Sequence, residues 1–143
     1  EERWSTGGGI CQLATTIFNA ALYANLAITQ RGNHSKTVHY ARIGRDATVY
    51  YGVVDLKFRN TLPHAVLLWG ELLSNYDLVI TVIGHRDDDT EVDLTSDSWA
   101  GRTGQGGSLW RTVRSADGRV LKDREHICDS FYPYEAKVTS AAD

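Results

Sequence analysis

Gly7-Gly8-Gly9-Ile10-Cys11-Gln12-Leu13-Ala14-Thr15-Thr16 is the stretch from which the rest of the chain is read. Three glycines lead into a cysteine, and the cysteine opens an apolar, alanine-rich segment whose spacing predicts a helix to about Asn25. A thiol there stands at the positive end of the helix dipole, the setting of a reactive cysteine. Ser5 and Thr6 are candidate capping residues, and Gly8 and Gly9 let another group approach the backbone closely. Along the helix, Leu13, Ala14, Ile17, Ala21 and Ala24 form one stripe, expected to be buried. Cys11, Thr15, Phe18 and Leu22 fall on a neighbouring face, expected to look into a groove.

Downstream, residues 26–29, 37–40, 47–51 and 55–60 read as short strands, interrupted by the turn signals Arg31-Gly32-Asn33 and Gly44-Arg45-Asp46. Residues 65–69 and 78–83 read as a hairpin, and Asp87-Asp88-Asp89 as a solvated acidic turn before a weak alternation at 91–95. The glycine-rich residues 101–107 read as a mobile loop. Residues 108–114 and 120–128 flank Asp117-Gly118, a hairpin signal. The expected fold class is therefore α+β: an N-terminal helix carrying Cys11 packed on an antiparallel sheet, followed by a β-rich C-terminal region. Residues 1–70 form the expected core, and 71–143 either a further part of the same domain or a small appended β subdomain.

Composition removes several classes of function. The 15 Lys and Arg are scattered and outnumbered by 18 Asp and Glu, so no nucleic-acid partner is expected. No apolar run approaches the roughly 20 residues that span a bilayer, and no signal peptide is recognisable. The chain begins at Glu1 and contains no Met, which reads as a fragment of a larger protein. Two cysteines are too few for a disulfide scaffold, although Cys11 and Cys128 could form one long-range bridge in an oxidising compartment. There is no Cys-x-x-Cys or His-x-x-x-His, the acidic turn lacks the glycine and glutamate of a calcium loop, and no Gly-Lys-Ser/Thr follows the triple glycine. Neither a metal nor another cofactor is expected.

A cysteine nucleophile needs a base, and the base is usually oriented by a carboxylate or amide. His34, beside a turn, and Asp46, twelve residues later, supply both types. The order Cys, His, Asp is that of the transglutaminase-like class of papain-related folds. His39 is the reserve base; His64, His85 and His126 read as solvated or packed imidazoles, and Asp55 as a cross-strand ion-pair partner. The Gln12 amide, with backbone N–H groups at the helix start, could meet a developing oxyanion. Gly8, Gly9, Gln12, Thr15 and His39 are the candidate substrate contacts.

Residues 7–21, with Gly7-Gly8-Gly9-Ile10-Cys11-Gln12 at their head, closely resemble the opening signature of the VanW domain, named from glycopeptide-resistance gene clusters. The likeness continues through Arg31, His34-Ser35, Tyr40, Gly44-Arg45-Asp46-Ala47-Thr48-Val49 and Asp55-Leu56-Lys57-Phe58-Arg59-Asn60, and covers about residues 7–70. Beyond it the likeness is looser, ending at Tyr132-Pro133. The resemblance implies a bacterial protein of the cell envelope or the extracellular space, exported or membrane-anchored. It further implies a cysteine L,D-transpeptidase acting on peptidoglycan stem peptides, with Cys11 as nucleophile. The usual signature of such enzymes, a His-Gly pair shortly before the cysteine, is absent, so the implied active site is a different solution. Many relatives have a small or polar residue at the position of His39, which favours His34 as base. The alternative reading is a non-catalytic peptidoglycan-binding or scaffolding module in which Cys11 is merely packed.

Overall fold

The computed structural model describes residues 8–135, apart from the side chain of Asp88. Ser5, Thr6 and Gly7 lie outside the described residues. Helix α1 (Ile10–Tyr23) starts from Gly9 and stops where Asn25 takes a positive φ of 57°. The Leu26 N–H then reaches back to the Ala21 carbonyl (2.9 Å) and the Asn25 N–H to that of Leu22 (3.1 Å). This is a Schellman closure, which satisfies carbonyls that the helix end would otherwise leave open.

The buried face of α1 is Ala14, Thr15, Phe18, Ala21 and Leu22. This corrects the expected stripe: Leu13 is 39% exposed, whereas Phe18 and Leu22 are fully buried. The face expected to look into a groove is the one that faces the core, because it carries the larger apolar side chains. Phe18 and Leu22 pack with Ala14, Ala47 and Leu109, and Ile28, Val49, Leu56, Leu94 and Ile127 close around them.

Seven strands follow among the described residues, all in antiparallel pairings. β1 (Ala27–Gln30) pairs with β2 (Lys57–Arg59), and β3 (Leu67–Leu72) with β4 (Leu78–Ile83). β5 (Thr90–Ala100), β6 (Gly104–Ser115) and β7 (Val120–Pro133) form a third sheet in that order. The expected α+β class, a helix laid on an antiparallel sheet, is therefore overturned: the chain is mostly β, in three small separate sheets, and α1 lies against β1, β4 and β5.

The stretch between β1 and β2 explains the difference. Residues 37–40 run from irregular backbone into a turn rather than a strand, and residues 47–51 contribute only the isolated bridges Gly32↔Thr48 and Tyr50↔Val54. Backbone groups here are met by side chains instead of a neighbouring strand. Asn19 Nδ2 donates to the Arg45 carbonyl (2.8 Å), Arg31 Nε to that of Asp46 (2.7 Å), and the Thr15 hydroxyl both donates to the Ala47 carbonyl and accepts from its N–H. No ladder is available there to join the sheets.

The expected loop at 101–107 is also corrected, since Gly104 to Gly107 lie within β6. A Cβ at Gly106 would stand 2.5 Å from the Ser130 carbonyl and 2.7 Å from the Trp99 ring. Glycine is needed here for close approach of strand and ring, not for mobility. The hairpin at Asp117-Gly118 joins β6 to β7, with Gly118 at a φ of +85°.

Arg111 of β6, only 1% exposed, fastens this sheet to the end of α1. Its Nη1 donates to the carbonyls of Leu22 (3.3 Å) and Leu26 (2.8 Å), and its Nε to Glu125 (2.8 Å). Arg111→Met would leave both carbonyls without that donor and is expected to cost roughly 2–4 kcal/mol in urea denaturation. Arg114→Met, which removes an exposed pair with Asp93, is expected to cost less than about 1 kcal/mol.

Candidate active site

Asp46, 1% exposed, is the charge around which the site is built. Its Oδ2 accepts from the His34 backbone N–H (2.8 Å) and lies 2.7 Å from His34 Nδ1. Its Oδ1 accepts from Arg31 Nη2 (3.0 Å) and from the Tyr132 hydroxyl. Arg31 is held in turn by the Ser130 hydroxyl (2.7 Å), and the Tyr132 oxygen accepts from the Gly44 N–H (3.1 Å). Burial works to raise the Asp46 carboxyl, but the bonds from His34 and Tyr132 and the Arg31 charge outweigh it and hold the group below its ordinary 3.8. Tyr132 moves the opposite way, raised by burial and by its bond to the carboxylate.

An ionised Asp46 can only accept, so His34 Nδ1 carries the proton of that bond. In the neutral ring Nε2 is then an acceptor, and the Tyr40 hydroxyl lies 3.3 Å from it. Tyr40 shares a cavity wall with Thr15 and is close enough to Cys11 for a thiolate there to raise its phenol. Burial raises the phenol first, and the charge of Asp46, with that of Cys11 once it is ionised, adds to it, so Tyr40 stays a neutral O–H. Thr15 follows Cys11 by one helical turn, on the same side of α1. Tyr40 thus bridges the Cys11 face of the helix and the His34–Asp46 pair.

Cys11 itself is half-buried, in the first turn of α1. Its Sγ donates to the Val49 carbonyl (3.6 Å) and lies 3.4 Å from the Thr48 hydroxyl, which can donate to the sulfur once its proton has left. No hydrogen bond joins Cys11 to His34 among the described residues. Among the described residues the helix start carries neither a side-chain cap nor an acidic residue in its first turn, which leaves its leading N–H groups open to a developing negative charge. A cavity of about 530 Å³ opens beside the cysteine, walled by Ile10, Val49, Val53 and Val54, with Asp55 and Lys57 in its lining.

The remaining sequence candidates fall as follows. Gly8 and Gly9 are exposed at the helix start, and nothing approaches the position of a Cβ on Gly9. Gln12 is exposed on the first turn, while Thr15 is 5% exposed and ties α1 to Ala47. His39 is exposed in a turn and meets the Tyr40 ring edge-on at 5.3 Å. Both cysteines are free, which corrects the bridge considered between them; burial raises the Cys128 thiol, whose Sγ instead faces the Gly44 carbonyl. Arg31, Tyr40 and Tyr132 were given no role from sequence. A tyrosine six residues after His34 was a usable signal for Tyr40, but nothing local marks Tyr132, 86 residues from Asp46.

Because the Asp46 value is lowered on folding, its contribution to stability is complete above about pH 3.8 and is lost as pH falls through the lower, folded value. Asp46→Asn is expected to cost roughly 3 kcal/mol at pH 7. The gap between variant and wild type should narrow below pH 3.8, as measured by urea denaturation across the range.

The family described as VanW like protein matches residues 2–83. A 62-residue segment, 43% of this chain, is 47% identical to the uncharacterized protein YoaR of Bacillus subtilis (strain 168). The match spans 20% of YoaR, so the chain corresponds to about a fifth of that relative. No solved structure matches the chain significantly. Cys11, His34, Tyr40 and Asp46 all lie inside the matched span, and the chain belongs to the VanW-like family.

Proposed function

We propose that the chain is a cysteine acyl transferase of the cell envelope, a transpeptidase of the L,D type acting on peptidoglycan stem peptides. One observation carries the reading. The buried Asp46 holds His34 at 2.7 Å, and the other ring nitrogen reaches Tyr40 beside the Cys11 face of α1.

In this mechanism Tyr40 passes a proton: its hydroxyl takes the proton of Cys11 and gives its own to His34 Nε2. Asp46 stabilises the imidazolium that results. The thiolate attacks the carbonyl of a diaminopimelate-type residue in the donor stem, and the oxyanion is met by the open N–H groups of α1 and the exposed Gln12 amide. Collapse breaks the amide bond, and the terminal D-amino acid leaves with a proton from His34. The amine of an acceptor stem then attacks the thioester, gives a proton to His34 and releases the Cys11 thiolate, which is reprotonated through Tyr40. Attack by water in place of the amine makes the same site a peptidase. Residues 71–143 serve in this reading as part of the same domain, since β7 supplies Ser130 and Tyr132 to the Arg31–Asp46 pair.

Incubation with disaccharide-tetrapeptide muropeptides, followed by mass spectrometry, tests the proposal. Wild type should yield cross-linked dimers and Cys11→Ala none, and His34→Ala should lower kcat/KM by roughly 10²–10⁴-fold. Tyr40→Phe should fall between wild type and His34→Ala. Absence of both product and acyl adduct in wild type would replace the enzyme with a non-catalytic peptidoglycan-binding module.

A further inference from the structure

Two adjoining cavities of about 240 and 520 Å³, the smaller walled by Tyr40, share Ala41, Arg42 and Arg45. The smaller begins at Thr15, Asn19 and Tyr40, within the site itself, and the larger continues it over β5. Among the described residues no acidic side chain lines either cavity. In a chain of net charge -3, that makes a locally cationic groove leading out of the site.

The two guanidiniums differ from the structural ones. Arg31, Arg111 and Arg114 each have a carboxylate partner. Arg45 is held only by neutral groups: Asn19 Oδ1 accepts from its Nε (2.9 Å), the Tyr23 oxygen from its Nη2 (3.0 Å), and the Tyr23 ring lies 5.4 Å from its centre. Its position is fixed and its charge left uncompensated. Arg42 is exposed in the groove with no carboxylate partner among the described residues. A turn, closed by the Arg45 N–H on the Arg42 carbonyl at 2.9 Å, keeps the pair together.

We infer that this groove is a carboxylate subsite in which Arg42, with Arg45 beside it, holds the free C-terminal carboxylate of the donor peptide. The inference rests on the acyl-transfer reading of the Cys11 site and adds to it the end of the substrate that is recognised. A guanidinium fork matches a carboxylate with two parallel hydrogen bonds. The groove starts at Tyr40, so a carboxylate held there belongs to the residue just beyond the attacked carbonyl, which is the residue that leaves. The site then selects peptides that end at that residue over longer or amidated ones, because only they bring an anion to Arg42.

Calorimetric titration of the Cys11→Ala chain, in which no turnover occurs, tests this with a stem tetrapeptide as the free acid and as its C-terminal amide. The acid should bind roughly tenfold more tightly than the amide. Arg42→Gln should remove that preference while leaving amide binding unchanged, and Arg42→Lys should keep part of it. Equal binding of acid and amide, or an Arg42→Gln effect of the same size on both, would overturn the inference. Inorganic phosphate that binds at Arg42 more tightly than the peptide acid would overturn it in favour of a phosphate-bearing ligand. An Arg42-dependent acid preference with no acyl adduct on wild type would keep the subsite and remove the transpeptidase reading. An acyl adduct without acid preference would remove the subsite alone.

Discussion

One buried carboxylate holds the site and the fold together. A carboxylate with the 1% exposure of Asp46 carries a desolvation penalty of several kcal/mol unless donors surround it. The donors come from three places in the chain: Arg31 after β1, His34 in the following turn, and Tyr132 near the end of β7. The interaction that orients the His34 ring therefore also docks β7 on the irregular stretch beside α1. A change that loosens β7 would loosen His34, even though no residue of β7 touches the imidazole through a described hydrogen bond.

The two ends of α1 show the same economy in opposite directions. At the C-terminal end the Schellman closure and Arg111 satisfy the last carbonyls, and cationic charge complements the dipole. At the N-terminal end Gly9 supplies no side chain to cap the helix, at a cost of only a few tenths of a kcal/mol, roughly, relative to a serine or aspartate. A capping carboxylate or hydroxyl would occupy the same N–H groups that the proposed reaction needs for its oxyanion. In the acyl-transfer reading a glycine at this position keeps those groups free at little cost in stability.

Legibility in the sequence followed the distance over which each feature is determined. The helix around Cys11 and the hairpins at 78–83 and at Asp117-Gly118 depend on spacing within a few residues, and they could be read. The division into three sheets could not, because it depends on side chains of α1 taking the backbone groups of Arg45 and Ala47 that a ladder would have used. The glycines of β6 misled for a related reason: composition says loop, whereas the contacts that require glycine come from Trp99 and Ser130. The His34–Asp46 pair was legible by residue type and order. Arg31 and Tyr132, which hold that pair's carboxylate, were not, since no local pattern separates an arginine in a turn from one buried against an aspartate.

The surroundings of Cys11 bear on how one site could serve two substrates. An acyl-transfer cycle brings a donor that ends in a carboxylate and an acceptor that ends in an amine, and the two must reach the same sulfur from different sides. The cavities around α1 differ in charge. Among the described residues the one beyond Tyr40 is cationic and free of acids, whereas the one beside Ile10 and Val49 has apolar walls and balances Asp55 with Lys57 in its lining. In the acyl-transfer reading the groove past Arg42 favours the donor's carboxylate by charge, whereas the balanced Asp55 and Lys57 of the other cavity leave the acceptor's path to be set by shape and apolar contact.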